Sequence, residues 1–405
     1  MGGGCAREPG GRSGSLARVG GCAREPGGCG GSLAWAGAAP MSGELRRSPL
    51  DDRHRRLGAK MGAFAGWDMP IEYQGTLAEH RAVREAVGVF DLSHLGKVEV
   101  RGPGAHDALQ HALSNDLDRL KEPGAAQYTL CLSDQGTIVD DLIAYREADG
   151  YLLVPNAANW PAVADLVRAS APPGTEVTPR PDVAVLAVQG PLAPQLVSGL
   201  FPEAADLAYM HLVPVSFAGM PGRLCRTGYT GERGFELLVP GEVAGRLWDD
   251  LLERGASLGA VPVGLGARDT LRLEMGYPLH GNDISTDTDP VAARLGWAVA
   301  MDKGDFRGRD ALVARKAAGP ERVRVGLVAT DRMIPRHGMA VLDDERPVGE
   351  VTSGTFSPTR KHGIAMAYVL PEVAGQGTEL QVDVRGRRRG AVRVTRPPFV
   401  DASPT

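Results

Sequence analysis

Cysteine is scarce in this sequence of 405 residues, which contains five, three of them within the first thirty positions. The other two, Cys131 and Cys225, lie far apart, and no pair has the spacing of a zinc site or of a disulfide framework. We therefore expect both thiols to be small buried apolar side chains in a protein of a reducing compartment. We expect no bound metal.

Long apolar runs and a strong excess of one charge are also missing. No stretch approaches the roughly 18 uncharged apolar residues that a membrane-spanning helix needs. The net charge of −4 does not suit a protein that neutralises a phosphate backbone. We therefore expect neither a membrane nor a nucleic acid as a partner. The usual nucleotide, metalloprotease and hydrolase motifs are absent as well, so general motifs identify no reaction.

The first forty residues are rich in glycine and contain an internal repeat. A nine-residue block begins at Gly3 and again at Gly20, and Gly-Ser-Leu-Ala follows with the same offset of 17 residues. Glycine at this density buries little and would disrupt the amphipathic helix of a transit peptide. We expect residues 1–40 to be a disordered extension that need not be translated natively, with Met41 as the working start. The expected location is the cytoplasm, or the mitochondrial matrix if the extension is a transit peptide.

Short helices and short strands alternate in residues 41–318 without a strict βαβ rhythm. Residues 128–132 and 138–145 read as two strands of a hairpin joined by turn residues. Thr76 is a candidate N-cap of a helix that ends before Gly88. This mixture predicts an α+β region of two interleaved domains rather than a doubly wound sheet. Further helices are expected at 242–254 and 267–275.

Residues 319–405 differ in predicted secondary structure, because strand-like segments follow one another with only turn residues between them. Such spacing predicts a small all-β barrel or sandwich. The complete chain is therefore expected to be α+β with a C-terminal barrel-like domain. The predicted strands are 323–329, 339–342, 348–353, 364–369, 379–384 and 390–395.

Two adjacent carboxylates, Asp140 and Asp141, interrupt an otherwise apolar strand. Alternation along a strand sends them to opposite faces, so one of the two points toward a core or a cleft. A buried carboxylate costs free energy unless it is partnered or functional. From the residues alone, a catalytic role, a structural hydrogen bond and exposure at a sheet edge all remain open.

Two glycine-containing segments carry polar groups suited to a flat ligand. In the first, glycines on both sides of Tyr229 predict a tight turn, and Glu236 follows within a strand. In the second, a glycine turn leads into a helix whose first turn contains Arg268, where a guanidinium can bind an anion beside the helix N-terminus. A plain hairpin and an ordinary charged helix start are the alternatives.

Taken together, these segments resemble the glycine cleavage system T-protein, or aminomethyltransferase, family. The similarity runs from about residue 49 to residue 400, and its many blocks occur in one order. Those blocks are 58–61, 64–70, 88–94, 138–142, 188–191, 226–232, 264–269, 352–358 and 396–399.

The resemblance implies three domains in a cloverleaf around a central channel that holds tetrahydrofolate as co-substrate. It implies transfer of the methylene carbon from an aminomethyl group on the lipoyl arm of the H-protein to tetrahydrofolate. The products would be 5,10-methylenetetrahydrofolate, ammonia and the dihydrolipoyl H-protein. The implied partners are the lipoylated H-protein and, indirectly, the P-protein and L-protein of the same system.

The resemblance also assigns roles to residues. Asp141 matches the family's catalytic aspartate, and we expect it to act by positioning and electrostatics more than by proton abstraction. Glu236 and Arg268 would bind complementary edges of the folate ring. Leu95 stands where many members have methionine, and Met210 where some have a folate-contacting tyrosine. The folate-contacting set is Leu95, Tyr128, Tyr145, Tyr229, Glu236, Arg268 and Tyr277.

Related functions on the same fold are the alternatives. These are a folate domain serving sarcosine or dimethylglycine oxidation, a demethylase that passes a methyl group to tetrahydrofolate, and a folate-binding helper of iron–sulfur assembly. Oxidase versions are usually fused to a flavin domain, and no dinucleotide fingerprint occurs here. The helper branch carries a Lys-Gly-Cys-Tyr-type motif, whereas this chain has Lys303, Gly304, Asp305 and Phe306. The prediction is therefore an aminomethyltransferase.

Overall fold

The computed structural model describes residue 1 and residues 44–384, 386 and 388–402. The extension expected at residues 1–40 lies outside this description apart from Met1. Among the described residues, none of the helices is long and apolar enough to cross a membrane.

Fourteen strands precede residue 264 within the described ranges. They are β1 (Arg46–Arg47), β2 (Lys60–Phe64), β3 (Trp67–Glu72), β4 (Val87–Asp91), β5 (Val98–Arg101), β6 (Ala126–Leu132), β7 (Ile138–Glu147), β8 (Gly150–Val154), β9 (Glu176–Pro179), β10 (Val183–Gln189), β11 (Leu212–Phe217), β12 (Met220–Cys225), β13 (Gly234–Pro240) and β14 (Ala260–Val263).

These strands form three sheets. The smallest has the order β1-β3-β2, the five-stranded sheet has the order β6-β7-β8-β5-β9, and the six-stranded sheet has the order β11-β12-β13-β10-β4-β14. In the last sheet β10 is buried along its whole length, as its sequence Val-Ala-Val-Leu-Ala-Val-Gln requires. The expected hairpin of residues 128–132 and 138–145 is confirmed as β6 and β7.

The last part of the described chain folds into a closed barrel with the strand order β15-β18-β17-β16-β19-β20. Closure leaves no sheet edge exposed, and alternating apolar side chains fill the interior. The predicted α+β fold with a C-terminal barrel is therefore confirmed. The strands are β15 (Val323–Ala329), β16 (Ala340–Asp343), β17 (Arg346–Ser357), β18 (His362–Val369), β19 (Glu379–Val384) and β20 (Arg388–Thr395).

Eight α-helices within the described ranges cover the sheets. Among them, α6 buries Leu247, Trp248 and Leu251 at helical spacing, which fixes its apolar face against the six-stranded sheet. The helices are α1 (Asp51–Arg56), α2 (Thr76–Glu85), α3 (Ala105–Ala112), α4 (Trp160–Ser170), α5 (Ala193–Ser198), α6 (Gly241–Gly255), α7 (Leu265–Met275) and α8 (Arg309–Ala318).

The expected boundaries of α2 were wrong at both ends. Gly75 is the N-cap, and the Thr76 hydroxyl donates to Glu72 at 3.1 Å instead of capping. Gly88 lies inside β4 rather than ending the helix. A Cβ at Gly88 would come within 2.6 Å of side-chain atoms of Val83 and Val263, so the glycine permits close packing of α2 and β14 on β4.

The two cysteines in the described part of the chain are buried and unpaired, as expected. Cys131 lies in β6 and Cys225 in β12, and neither has measurable exposure. Burial raises the pKa of both thiols, to about 12 for Cys131. Both therefore remain protonated, apolar core residues.

Candidate functional site

The two aspartates of β7 point in opposite directions, as strand alternation predicts. Asp140 is fully buried and accepts hydrogen bonds from the backbone and side-chain nitrogens of Asn156 and from the side chain of Asn159 at 2.7–2.9 Å. Burial and the adjacent Asp141 raise the pKa of Asp140 to about 7. Asp141 is only partly buried, so its carboxylate is the one that a ligand can reach.

Both carboxylate oxygens of Asp141 are held by neighbouring side chains. The Tyr128 hydroxyl donates to Oδ2 at 2.9 Å, and Asn156 Nδ2 donates to Oδ1 at 3.0 Å. Burial raises the pKa of Asp141, whereas His280, Tyr128 and Asn156 favour the ionised form and only partly oppose the rise. The result is an oriented carboxylate that is easier to protonate than an ordinary aspartate.

An exposed tryptophan flanks this carboxylate. The Trp297 ring stacks on Tyr128 with centroids 5.1 Å apart and an interplanar angle of 25°. Trp297 nevertheless keeps 65% of its surface exposed. A chain of contacts therefore runs from the surface through Trp297 and Tyr128 to Asp141.

The loop between β12 and β13 carries Tyr229. The backbone of Gly231 has a φ of 80°, and a Cβ there would come within 2.2 Å of the Met275 sulfur, so glycine lets the loop press against α7. The Tyr229 hydroxyl donates to the carbonyl of Pro278. Its ring stacks on Tyr277 at 5.6 Å and 27°.

Arg268 lies over the Tyr229 ring, with its guanidinium carbon 4.6 Å from the ring centroid. The distance is that of a cation–π contact. The Arg268 side chain has no hydrogen bond or ion pair with any residue that the structure describes. Burial lowers the pKa of Arg268, and nearby Glu236 opposes that change. The planar set of guanidinium donors is therefore available to a ligand.

Strand register places Glu236 in the same region. Glu236 pairs with Ala187, Ala187 with Phe90, and Phe90 with Val263, so four adjacent strands share one row. The chain leaves this row after Val263 and enters α7, whose first turn carries Arg268. Glu236 Oε2 accepts a hydrogen bond from the Thr227 hydroxyl at 2.7 Å. Among the described residues, Oε1 has no hydrogen-bond donor.

Two of the predicted contact residues lie deeper than expected. Tyr145 is 1% exposed in the core between the sheets, and its hydroxyl bonds to that of Thr227 at 2.8 Å. It therefore supports Glu236 through Thr227 rather than presenting its ring. Leu95 is half-buried against the same core, in a turn whose carbonyls at Ser93 and Leu95 accept from Lys97 Nζ. The direct contacts predicted for both residues stay predictions.

The Asp141–Tyr128 pair and the aromatic residue Tyr229 lie close enough to affect each other electrostatically. The pKa of Tyr229 is raised first by burial and also by the Asp141 carboxylate. The pKa of Tyr128 is raised by burial and Asp141, with a smaller effect from Tyr229. The structure thus brings six of the predicted residues into one neighbourhood. They are Tyr128, Asp141, Tyr229, Glu236, Arg268 and Tyr277.

Sequence reasoning missed three neighbours of the site. Asn156 and Trp297 hold or flank the Asp141–Tyr128 pair, and neither stands in a segment that was singled out from the sequence. Tyr209 was overlooked beside Met210, yet burial and the Glu236 carboxylate both raise its pKa. None of the three gave a clear local signal, because Trp297 itself stands among mainly apolar residues such as Leu295, Ala298 and Val299.

This arrangement suits a flat, polar, heteroaromatic ligand and a reaction that develops positive charge. Tyr229 and Tyr277 provide a surface for stacking, while Glu236 and Arg268 provide an acceptor and donors on its edges. Asp141 provides a fixed negative charge whose orientation does not depend on the ligand. The described residues contain no cluster suited to a metal ion.

Comparison with known proteins gives the class to which this fold and site belong. Residues 50–303 match the family described as the GCVT N-terminal domain, and residues 322–401 match the glycine cleavage T-protein C-terminal barrel domain. Together the two matches cover most of the chain.

Individual proteins agree with these matches. The chain is 56% identical over 366 residues to an aminomethyltransferase of Frankia alni, covering 89% of this chain and 99% of that protein. It is 51% identical over 361 residues to an aminomethyltransferase of Mycobacterium tuberculosis, covering 88% and 97%. The crystal structure of glycine cleavage system aminomethyltransferase T from Bartonella henselae superposes with a TM-score of 0.83 at 38% identity, covering 89% and 99%. The chain therefore belongs to the glycine cleavage T-protein family of aminomethyltransferases.

Proposed function

We propose that this aminomethyltransferase transfers the methylene carbon of an aminomethyl group, carried on the lipoyl arm of the H-protein, to tetrahydrofolate. The carbon–sulfur and carbon–nitrogen bonds of the aminomethyl group break together with two folate N–H bonds, and two carbon–nitrogen bonds to the folate form. The two folate protons end on the departing sulfur and on ammonia. The products are 5,10-methylenetetrahydrofolate, ammonia and the dihydrolipoyl arm. The observation that carries the proposal is the Asp141 carboxylate, partly exposed and held on both oxygens beside an aromatic, cationic surface.

Asp141 has the position and the charge for this reaction. Tyr128 and Asn156 fix its carboxylate before a ligand arrives, so no reorganisation is needed when positive charge develops on the transferred carbon. The same carboxylate can accept a hydrogen bond from an amine and hold it for attack. We assign it positioning and electrostatic stabilisation first. Full proton abstraction is the alternative that a pH profile can test.

The residues around Tyr229 fit the ring of tetrahydrofolate, whose bound form would supply the amine nucleophile. Glu236 has an oxygen without a donor, and Arg268 has a guanidinium without an acceptor, among the described residues. A pterin edge presents adjacent N–H donors, which match a carboxylate, and a carbonyl, which matches a guanidinium. We propose Tyr229 and Tyr277 as the stacking surface, with Leu95 beside them.

The lipoylated H-protein is the proposed direct partner, with the P-protein and L-protein acting on the same carrier. We propose the cytoplasm as the compartment, because the two described cysteines are unpaired and buried. The proposed division is an aminomethyltransferase region over residues 41–318 and a barrel domain over 319–405.

Replacement of Asp141 tests the proposed function. Asp141→Asn keeps the size and most hydrogen bonds of the side chain but removes its charge. We expect kcat for methylenetetrahydrofolate formation from aminomethylated H-protein to fall by about 10²- to 10⁴-fold, the usual contribution of a positioned acid–base or charged group. Folate-dependent ammonia release would be measured in the same assay.

The matched control is Asp165→Asn, which changes an exposed aspartate of α4 that pairs only with Arg168. Its activity should equal that of the wild type. If Asp141→Asn retained near wild-type turnover, the role of Asp141 would be wrong. If the wild-type protein released no ammonia in a tetrahydrofolate-dependent manner, the proposed reaction itself would fail.

A further inference from the structure

His94 is a buried histidine that the proposed reaction does not yet use. It follows β4, and its residue surface is 2% exposed. Within the described part of the chain, its buried Nδ1 atom has no hydrogen-bond partner. Buried polar atoms are nearly always paired, so this exception needs an explanation.

The other two fully buried histidines have hydrogen bonds at both ring nitrogens. His54 bonds to Asp91 through Nε2 and to Tyr73 through Nδ1, both at 2.8 Å. His80 bonds to Thr270 at 2.8 Å and to Thr359 at 3.3 Å. Both ring nitrogens are satisfied in each case. His94 therefore differs from both in having a buried ring nitrogen without a hydrogen-bond partner among the described residues.

The surroundings keep His94 uncharged. Burial lowers its pKa to about 3, and the positive charge of Arg268 contributes to the decrease. Phe64 packs edge-to-face against the ring, with centroids 5.3 Å apart and planes at 87°. A neutral imidazole has one N–H donor and one lone-pair acceptor, and the one carried by Nδ1 is unpaired among the described residues.

Strand order explains why His94 belongs to the same site as Arg268. Strands β4 and β14 are parallel neighbours, with Phe90 opposite Val263. Both strands therefore end at the same side of the sheet. His94 follows four residues after Phe90, and Arg268 follows five residues after Val263. Parallel strands place functional groups together at their carboxyl ends.

We propose that His94 is a further ligand-contacting residue, whose neutral imidazole hydrogen-bonds to a polar edge of the pterin ring of a reduced folate. The proposal rests on the proposed function, since it deepens the description of the same site. Its carrying observation is the unpaired, enclosed Nδ1 atom beside Arg268 and Leu95. The unpaired Nδ1 atom lowers the stability of the ligand-free protein, and it gains a hydrogen bond when the ligand binds.

Substitution of His94 separates this role from a structural one. His94→Leu keeps an apolar side chain of similar bulk and removes both nitrogens. We expect the KM for tetrahydrofolate to rise about tenfold or more and kcat to stay within about threefold. The melting temperature of the ligand-free protein should stay the same or rise, because an unpaired buried polar group has been removed.

Two amide variants show which nitrogen makes the contact. His94→Asn retains a polar atom near the position of Nδ1, and His94→Gln retains one near Nε2. Recovery of the KM by one of them is expected. His111→Leu is the matched control, because the His111 side chain of α3 bonds to Ser170 at 3.0 Å and to none of the site residues named above. The KM of this variant should not change. A lower melting temperature for His94→Leu with an unchanged KM would overturn the proposal.

Nuclear magnetic resonance tests the wild-type protein directly, without depending on whether a variant folds. The chain has nine histidines, which can be labelled with ¹⁵N in the ring, and the His94 signals are those lost in His94→Gln. Addition of 5-formyltetrahydrofolate, a stable reduced folate, should shift the His94 ring nitrogens and leave those of His54 unchanged.

Tryptophan fluorescence would measure binding of the same compound independently. Binding without any change at the His94 ring would refute the contact and leave the proposed function intact. An absence of binding, together with an absence of folate-dependent turnover, would refute the proposed function and with it this inference.

Discussion

At the scale of single residues, the Tyr128 hydroxyl is one of the groups that set the pKa of Asp141. It donates to Oδ2 at 2.9 Å and so favours the carboxylate over the acid. Tyr128→Phe keeps the ring and its stacking on Trp297 but removes this donor. The pKa of Asp141, already raised by burial, should rise further. The acid limb of kcat/KM against pH should therefore move to higher pH, with activity on that limb reduced on the order of tenfold.

Activity above the limb is the internal control, because Asp141 is ionised there in both proteins. Tyr277→Phe is the matched variant, since it removes a hydroxyl from the same neighbourhood without touching Asp141 and should leave the acid limb in place. An equal loss for Tyr128→Phe at every pH would show that the hydroxyl does not act through Asp141.

At the scale of elements, the sequence predicted the strands better than it predicted which residues contact the site. The hairpin of β6 and β7 and the barrel strands follow from alternation and turn residues, which are local properties. Asn156 could not be found in this way, because its amide reaches Asp141 across 15 positions of the chain. The same limit concealed His94, whose missing partners are visible only when every element around it is placed.

Asn159 shows how an element end can serve the site instead of its own helix. It occupies the N-cap of α4, yet its side chain makes no capping bond and donates to Asp140 at 2.7 Å. The Asp140 pKa of about 7 exceeds the ordinary value of about 3.9. The folded protein therefore holds more protons than the unfolded chain between these values, and stability falls as pH rises through that range.

Asn159→Ala removes one donor that favours ionised Asp140. We expect the free energy of unfolding to fall by about 1.5–3 kcal/mol above pH 7 and by less near pH 5, where Asp140 is protonated. Urea unfolding at the two pH values measures the difference. Gln195→Ala, an exposed amide in α5, should change the free energy by under about 0.5 kcal/mol at both. A loss for Asn159→Ala that is independent of pH would contradict the link to Asp140.

At the scale of the whole molecule, Glu274 joins three separate parts of the chain. From the end of α7, its carboxylate accepts hydrogen bonds from Arg84 of α2 at 2.8 Å and from Thr359 of the barrel at 2.9 Å. His80 of α2 also approaches it to 3.3 Å. The helices around the six-stranded sheet are thus tied to the barrel through one buried charge, which is costly to leave without its partners.

Glu274 should therefore contribute to the loss of stability of the assembled molecule in acid. Burial raises its pKa, but His80, Ser357 and Arg84 outweigh that effect and lower it from 4.5 to about 2. The resulting stabilisation is complete above the unfolded value and is lost as pH falls from about 4.5 to 2. Glu274→Gln should cost about 3 kcal/mol at pH 7 and progressively less toward pH 3, measured by urea unfolding. Exposed Glu372→Gln should show almost no cost at either pH. If the loss in free energy of unfolding for Glu274→Gln were constant across this pH range, side-chain packing rather than the charge of Glu274 would join the barrel to the rest of the chain.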